Sequence, residues 1–113
     1  MAKHDPSIDH IFSALGDPTR RAILARLARG PATVSELAAP FDMALPSLLG
    51  HLKKLEEAGL IASRKDGRIR TCTLQPQAFR PALSWLEEQR ALWDTRLDRL
   101  DSLILSLAKD IPK

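Results

Sequence analysis

The chain has 113 residues, enough for one domain with a modest core, and its 44% hydrophobic and 27% charged content excludes a disordered chain. No apolar run approaches the roughly 20 residues of a membrane span, and "MAKHDPSIDHIF" lacks the apolar stretch of a signal peptide, so a cytoplasmic protein is expected. Net charge is +3, and the excess is local: residues 1–43 carry 5 basic and 5 acidic side chains, 44–74 carry 6 and 3, and 76–113 carry 6 and 6.

Ser7, after Pro6, is placed to cap a first short helix. Ile8, Ile11, Phe12 and Leu15 give that helix an apolar stripe at i, i+3, i+4 and i+7, and Gly16 ends it. Asp17-Pro18 reads as the N-cap and first residue of a second helix, with Ile23, Leu24 and Leu27 inward and Gly30 as its stop. Thr33 and Glu36 match a capping box, in which each side chain satisfies the other residue's backbone N–H. The third helix is short, with Val34 and Leu37 inward, and ends near Pro40. After the turn "PFDMA" a fourth helix covers about 45–58, with Gly59 following it. At 100° per residue, Leu45, Leu48, Leu49, Leu52 and Leu55 share one arc of this helix. Pro46, Ser47, Gly50, His51 and Lys54 share the other, with Gly50 near its centre.

The period then changes. Runs 60–65 and 68–74 flank Asp66-Gly67, a strong hairpin signal, because a type I′ turn needs positive φ twice. Pairing Lys65 with Arg68 would put Ile61 opposite Cys72, both facing the core with Leu74. Cys72 is expected to be a buried, inert thiol, and as the single cysteine it excludes a disulfide framework and a multi-cysteine zinc site. The hairpin tip collects Arg64, Lys65, Arg68 and Arg70. A last helix, expected over 81–109, would run about 44 Å. Phe79, Leu83, Leu86, Arg90, Trp93, Leu97, Leu100, Ile104 and Leu107 form a heptad seam along it with one polar member. So small a domain cannot bury that seam and both tryptophans, Trp85 and Trp93, against itself, so a partner helix from a second copy is expected.

The expected fold is mainly α with a small β-hairpin. It is a winged helix-turn-helix in one domain over 1–113: the helix-turn-helix at 33–58, the wing at 60–74 and a C-terminal dimerisation helix at 81–109. In such a motif the second helix enters the DNA major groove while basic residues of the wing meet phosphates. The stretches "IFSALGDPTRRAILARLARG", "TVSELAAPFDMALPSLLGHLKKLEEAGLI", "KDGRIRTCTL" and "PQAFRPALSWLEEQ" resemble the ArsR/SmtB family of bacterial winged-helix repressors, over about residues 8–90. The resemblance implies a homodimer, held by its first and last helices, that represses transcription from operator DNA, often until a metal ion or other inducer arrives. The family's thiolate metal site, E-L-C-V-C-D, corresponds here to Glu36-Leu37-Ala38-Ala39-Pro40-Phe41, so Ala38 and Pro40 replace both cysteines. The last helix has no histidine, and His4, His10 and His51 are scattered. No metal and no cofactor are therefore expected.

Where relatives present Ser and then Lys or Arg before "HL", this chain has Leu49 and Gly50. The residues expected to meet DNA are Thr33, Ser47, Gly50, His51, Lys53 and Lys54, with Arg64, Lys65, Arg68 and Arg70 of the wing. The missing side chain at Gly50 is expected to let the helix sit closer to the groove. The residues expected at the dimer interface are Ile8, Ile11, Phe12, Leu86, Trp93, Leu97, Leu100 and Ile104. No nucleophile–base pair, phosphate loop or carboxylate pair stands out, so a non-enzyme is expected. The expected partners are double-stranded operator DNA, a second copy and an unidentified small-molecule inducer, with no membrane. Two other readings stay open: a winged helix that binds protein, and a sensor with unfamiliar metal or thiol ligands.

Overall fold

The computed structural model describes residues 6–109, and these divide into two compact units, one running to Ala82 and one from Leu83 onward. In chain order the elements are α1 (Pro6–Leu15), α2 (Pro18–Leu27), β1 (Ala32–Thr33), α3 (Val34–Ala38) and α4 (Leu45–Glu57). The hairpin strands β2 (Ile61–Asp66) and β3 (Ile69–Leu74), a 3₁₀ turn (Pro76–Phe79) and α5 (Arg80–Lys109) follow. The outcome is a mainly helical winged helix-turn-helix. Its sheet has three antiparallel strands in the order β1-β3-β2, so the wing is tied to the start of α3 by a short strand that the sequence did not announce.

Local chemistry explains most boundaries. Ser7 lies inside α1 rather than capping it, because the helix already starts at Pro6. His4 lies outside the described residues. At the start of α2 the Asp17 side chain accepts a hydrogen bond from the Arg20 backbone N–H at 3.1 Å, and Pro18 occupies the first turn. The Thr33–Glu36 capping box is complete: Glu36 N–H donates to Thr33 Oγ1 and Thr33 N–H donates to Glu36 Oε1, both at 3.1 Å. Thr33→Ala removes one half of the box. It is expected to lower unfolding stability by about 1 kcal/mol, read from the midpoint of urea denaturation at constant slope.

Both capping carboxylates are held below the ordinary carboxylate range, chiefly by the backbone N–H groups of Arg20 on Asp17 and of Thr33 on Glu36. A pKa lower in the folded than in the unfolded state contributes stability above the ordinary range, and that stability is lost as pH falls through the folded value. Unfolding midpoints taken from pH 7 down to pH 3 are therefore expected to fall less in Asp17→Asn than in the wild type.

The C-terminus of α4 is a Schellman motif. Gly59 has φ +74°, its N–H donates to Glu56 O at 2.9 Å, and Leu60 N–H donates to Leu55 O at 3.0 Å. Leu55 and Leu60, joined by that last bond, are both fully buried. With Ile11, Ile23, Leu37, Leu48, Leu52 and Cys72 they make up the largest fully buried side chains. Ile11 is thus a residue of the protomer's own core, a correction to its expected place at a dimer surface. Side chains 0% exposed inside one protomer have no surface to offer a second.

The hairpin register also differs from expectation. Ile61 pairs with Leu74, Ser63 with Cys72 and Asp66 with Ile69, so the two-residue turn is Gly67-Arg68. Only Gly67 has a positive φ, +63°. That is the sign pattern of a type II′ turn, which needs glycine at its first central position alone, whereas Asp66-Gly67 in type I′ needs two positive φ values. The slip is two residues. It therefore preserves which side chains face the core, and Ile61 and Cys72 remain buried.

α5 has 30 residues, and its second unit leaves the seam open: Leu83, Leu86, Trp93, Leu97, Leu100, Ile104 and Leu107 are each 47–59% exposed. Trp85, Leu92, Leu103 and Leu105 add exposed apolar surface beside it. No described helix is long and apolar enough to cross a membrane.

Candidate nucleic-acid interface

α3, the turn after it and α4 make the helix-turn-helix, and β2–β3 stand beside α4 as the wing. The core direction of α4 is set by Leu48, Leu52 and Leu55, all fully buried. Ser47, Gly50, Lys53 and Lys54 lie on its exposed side. Beyond the adjoining backbone of its own helix, a Cβ built on Gly50 would meet no atom within 4 Å, so packing does not require glycine there. Gly50→Ala is expected to stabilise the helix by about 0.5–1 kcal/mol in thermal unfolding. The same substitution is expected to weaken DNA binding in a gel shift, because the helix backbone can no longer approach the bases as closely.

The leucine arc is narrower than expected. Leu45 is 55% exposed and Leu49 37% exposed, because this flank of α4 faces an open concavity between α3 and the wing rather than the core. Thr33, Leu45, Leu49, Lys65, Arg68 and Ile69 line that concavity, and Ile69 is itself 57% exposed. Leu49 sits roughly 90° from the centre of the buried arc at 100° per residue, and that angle was the available signal for its exposure.

Besides Thr33, held in its capping box with Glu36, two residues expected to meet DNA have protein partners. Nη1 of Arg20 lies 3.1 Å from His51 Nδ1. A guanidinium only donates, so in this contact His51 Nδ1 is the acceptor. The same arginine donates to Ala14 O at 2.8 Å and Ser13 O at 2.9 Å, while Arg21 donates to Leu15 O at 2.7 Å. The arginine pair of "DPTRR" therefore caps the end of α1, and through His51 it also fixes α4 against α1. Asp17 Oδ2 lies 3.7 Å from the same His51 nitrogen.

Arg70 makes an ion pair with Glu56 and donates from Nε to Ser63 Oγ at 3.0 Å, and Ser63 donates to Glu56 Oε1 at 2.7 Å. Arg70 thus clamps the wing to the last turn of α4. Arg64, Lys65 and Arg68 make no ion pair among the described residues and form the exposed cationic tip, while Lys53 and Lys54 are exposed on α4. Burial pushes the Cys72 thiol up, away from the thiolate form that reacts or binds metal. Ala38 and Pro40, at the places of the family's thiolate ligands, carry no donor atom, so that metal site does not fit this chain.

Residues 15–64 match the family described as "Helix-turn-helix domain". The HTH-type transcriptional regulator Rv2034 of Mycobacterium tuberculosis is 44% identical over 70 residues, 62% of this chain, and this chain spans less than two thirds of that relative, 65%. The transcriptional repressor SdpR of Bacillus subtilis is 30% identical over 79 residues, covering 70% of this chain and 88% of the repressor. Among solved structures, the ArsR family transcriptional regulator RHA00566 superposes with a TM-score of 0.78 at 54% identity, covering 83% of this chain and 97% of that one.

Proposed function

Because the chain belongs to the ArsR family of winged helix-turn-helix transcriptional regulators, we propose that it acts as a homodimeric repressor, with α4 in the major groove and the wing on phosphates. It is a DNA-binding regulator of transcription, and its family comprises regulators rather than enzymes. The observation that carries the placement is the exposed side of α4, Ser47, Gly50, Lys53 and Lys54, standing beside a wing tip whose Arg64, Lys65 and Arg68 have no acidic partner among the described residues. Cations at the tip supply affinity through phosphates, and the α4 face supplies sequence choice. Arg70 and His51 support that surface from behind, one by holding the wing and the other by holding α4.

The dimer rests on α5, whose seam from Leu83 to Leu107 is about half exposed and has the heptad spacing of a helix that packs on another copy. On the first unit, Phe12 of α1, 36% exposed, and half-buried Ile8 are the apolar side chains offered to that copy. A dyad then relates two half-sites spaced by about one turn of DNA or a multiple of it. Gel shifts with the DNA upstream of the chain's own gene test the reading. A complex that survives excess competitor at physiological salt, protected over two dyad-related half-sites, is the expected result. Equal competition by every sequence would refute it. The cytoplasm is the compartment in which such a regulator meets its operator.

A further inference from the structure

Resting on the reading that the α4–wing face meets duplex DNA, we infer that Leu49, with Leu45 one turn before it, sets operator specificity by apolar contact with thymine methyl groups in the major groove. The face is unusual in what it lacks. Its centre, Gly50, has no side chain, and beyond the helix's own adjoining backbone nothing lies within 4 Å of its Cβ position, so base edges can approach the helix there. Beside that bare centre stand Leu49, 37% exposed, and Leu45, 55% exposed. Across the concavity the wing presents Ile69, 57% exposed. Polar readout near that bare centre is limited: Ser47 is short and His51 Nδ1 is engaged by Arg20, which leaves the flexible Lys53 and Lys54.

The rim decides which apolar partner fits. Lys65 and Arg68 line the same concavity and make no ion pair among the described residues. Cations on the wing side of a concavity that Leu45, Leu49 and Ile69 line complement a phosphate-flanked base step and do not suit an apolar peptide. The apolar group that a base pair displays in the major groove is the C5 methyl of thymine, which hydrophobic side chains contact.

The test uses the whole protein and random-sequence duplexes selected at physiological salt. The best selected duplex is resynthesised with deoxyuridine in place of each thymidine in turn, which deletes the methyl and keeps every base-pair hydrogen bond. At one or more positions uracil is expected to weaken wild-type binding by about fourfold, the worth of one buried methylene-sized group. In Leu49→Ala or Leu45→Ala that penalty is expected to vanish, with the melting temperature preserved because both side chains are exposed. Three results would overturn the inference: no uracil position weakens binding; the penalty persists in both variants; or Leu49→Ala weakens thymine and uracil duplexes equally, which would put Leu49 against the sugar–phosphate strand. A selection that enriches no sequence would refute the regulator reading itself, and with it this inference, one step before the uracil scan.

Discussion

Replacing Lys65 and Arg68 together by glutamate is expected to lower operator affinity by roughly a hundredfold or more. Hydrogen bonds to charged groups contribute about 1.5–3 kcal/mol each, and reversal adds repulsion from the same phosphates. Neither side chain has an acidic partner among the described residues, so the wild-type cations are available and their replacement breaks nothing inside the protein. The loss should be uniform across sequences, because phosphate contacts carry no base information. The slope of log affinity against log salt should flatten by about 4 for the dimer, near 0.9 for each phosphate that the two wings no longer neutralise. Fluorescence anisotropy titrations at several salt concentrations, with operator and with unrelated duplex, check both statements. Arg70→Glu should differ in kind. Its guanidinium is held by Glu56 and Ser63, so its loss should loosen the wing and lower the melting temperature as well as the affinity.

Leu52→Ala carries the largest expected effect on stability, about 2–5 kcal/mol. Leu52 is 0% exposed at the middle of α4, with Leu48 and Leu55 equally buried on either side. The cavity left behind cannot be filled without moving the helix that carries the candidate interface. For a domain of this size each kcal/mol corresponds to roughly 4–8 °C, so thermal unfolding by circular dichroism should shift down by about 10 °C or more. Protomer concentration must be held constant, since a dimer gains stability with concentration. Leu45→Ala, one arc away and 55% exposed, should stay within about 0.5 kcal/mol of wild type. The pair separates the packing side of α4 from its open flank.

What could be foreseen in this chain depends on range. The Thr33–Glu36 box and the Asp17 cap join residues three apart, and each formed where its residue types stood. Gly59 closed α4 in the same way, through bonds reaching back a single turn. The leucine pattern was legible in direction but not in extent. Leu48, Leu52 and Leu55 went inward as their spacing requires, while burial of Leu45 and Leu49 depended on whether another element covered that flank, and none of the described elements does. The hairpin was legible as a hairpin, yet its register waited on the sign of φ at Arg68, which "DG" does not encode.

By itself, then, the sequence determined the helices, the caps at Asp17, Thr33 and Gly59, the hairpin and the family, because these rest on hydrogen bonds and apolar periods within a few residues. Only the tertiary structure decided which charged and apolar groups remain available to a partner. His51 meets Arg20 across 31 residues, Arg70 meets Glu56 across 14, and Ile11 is enclosed by the protomer's own core. Leu49 is left facing a concavity lined by β1, α3, α4 and both wing strands. Availability is a property of what folds over a side chain, and residues distant along the chain settle it.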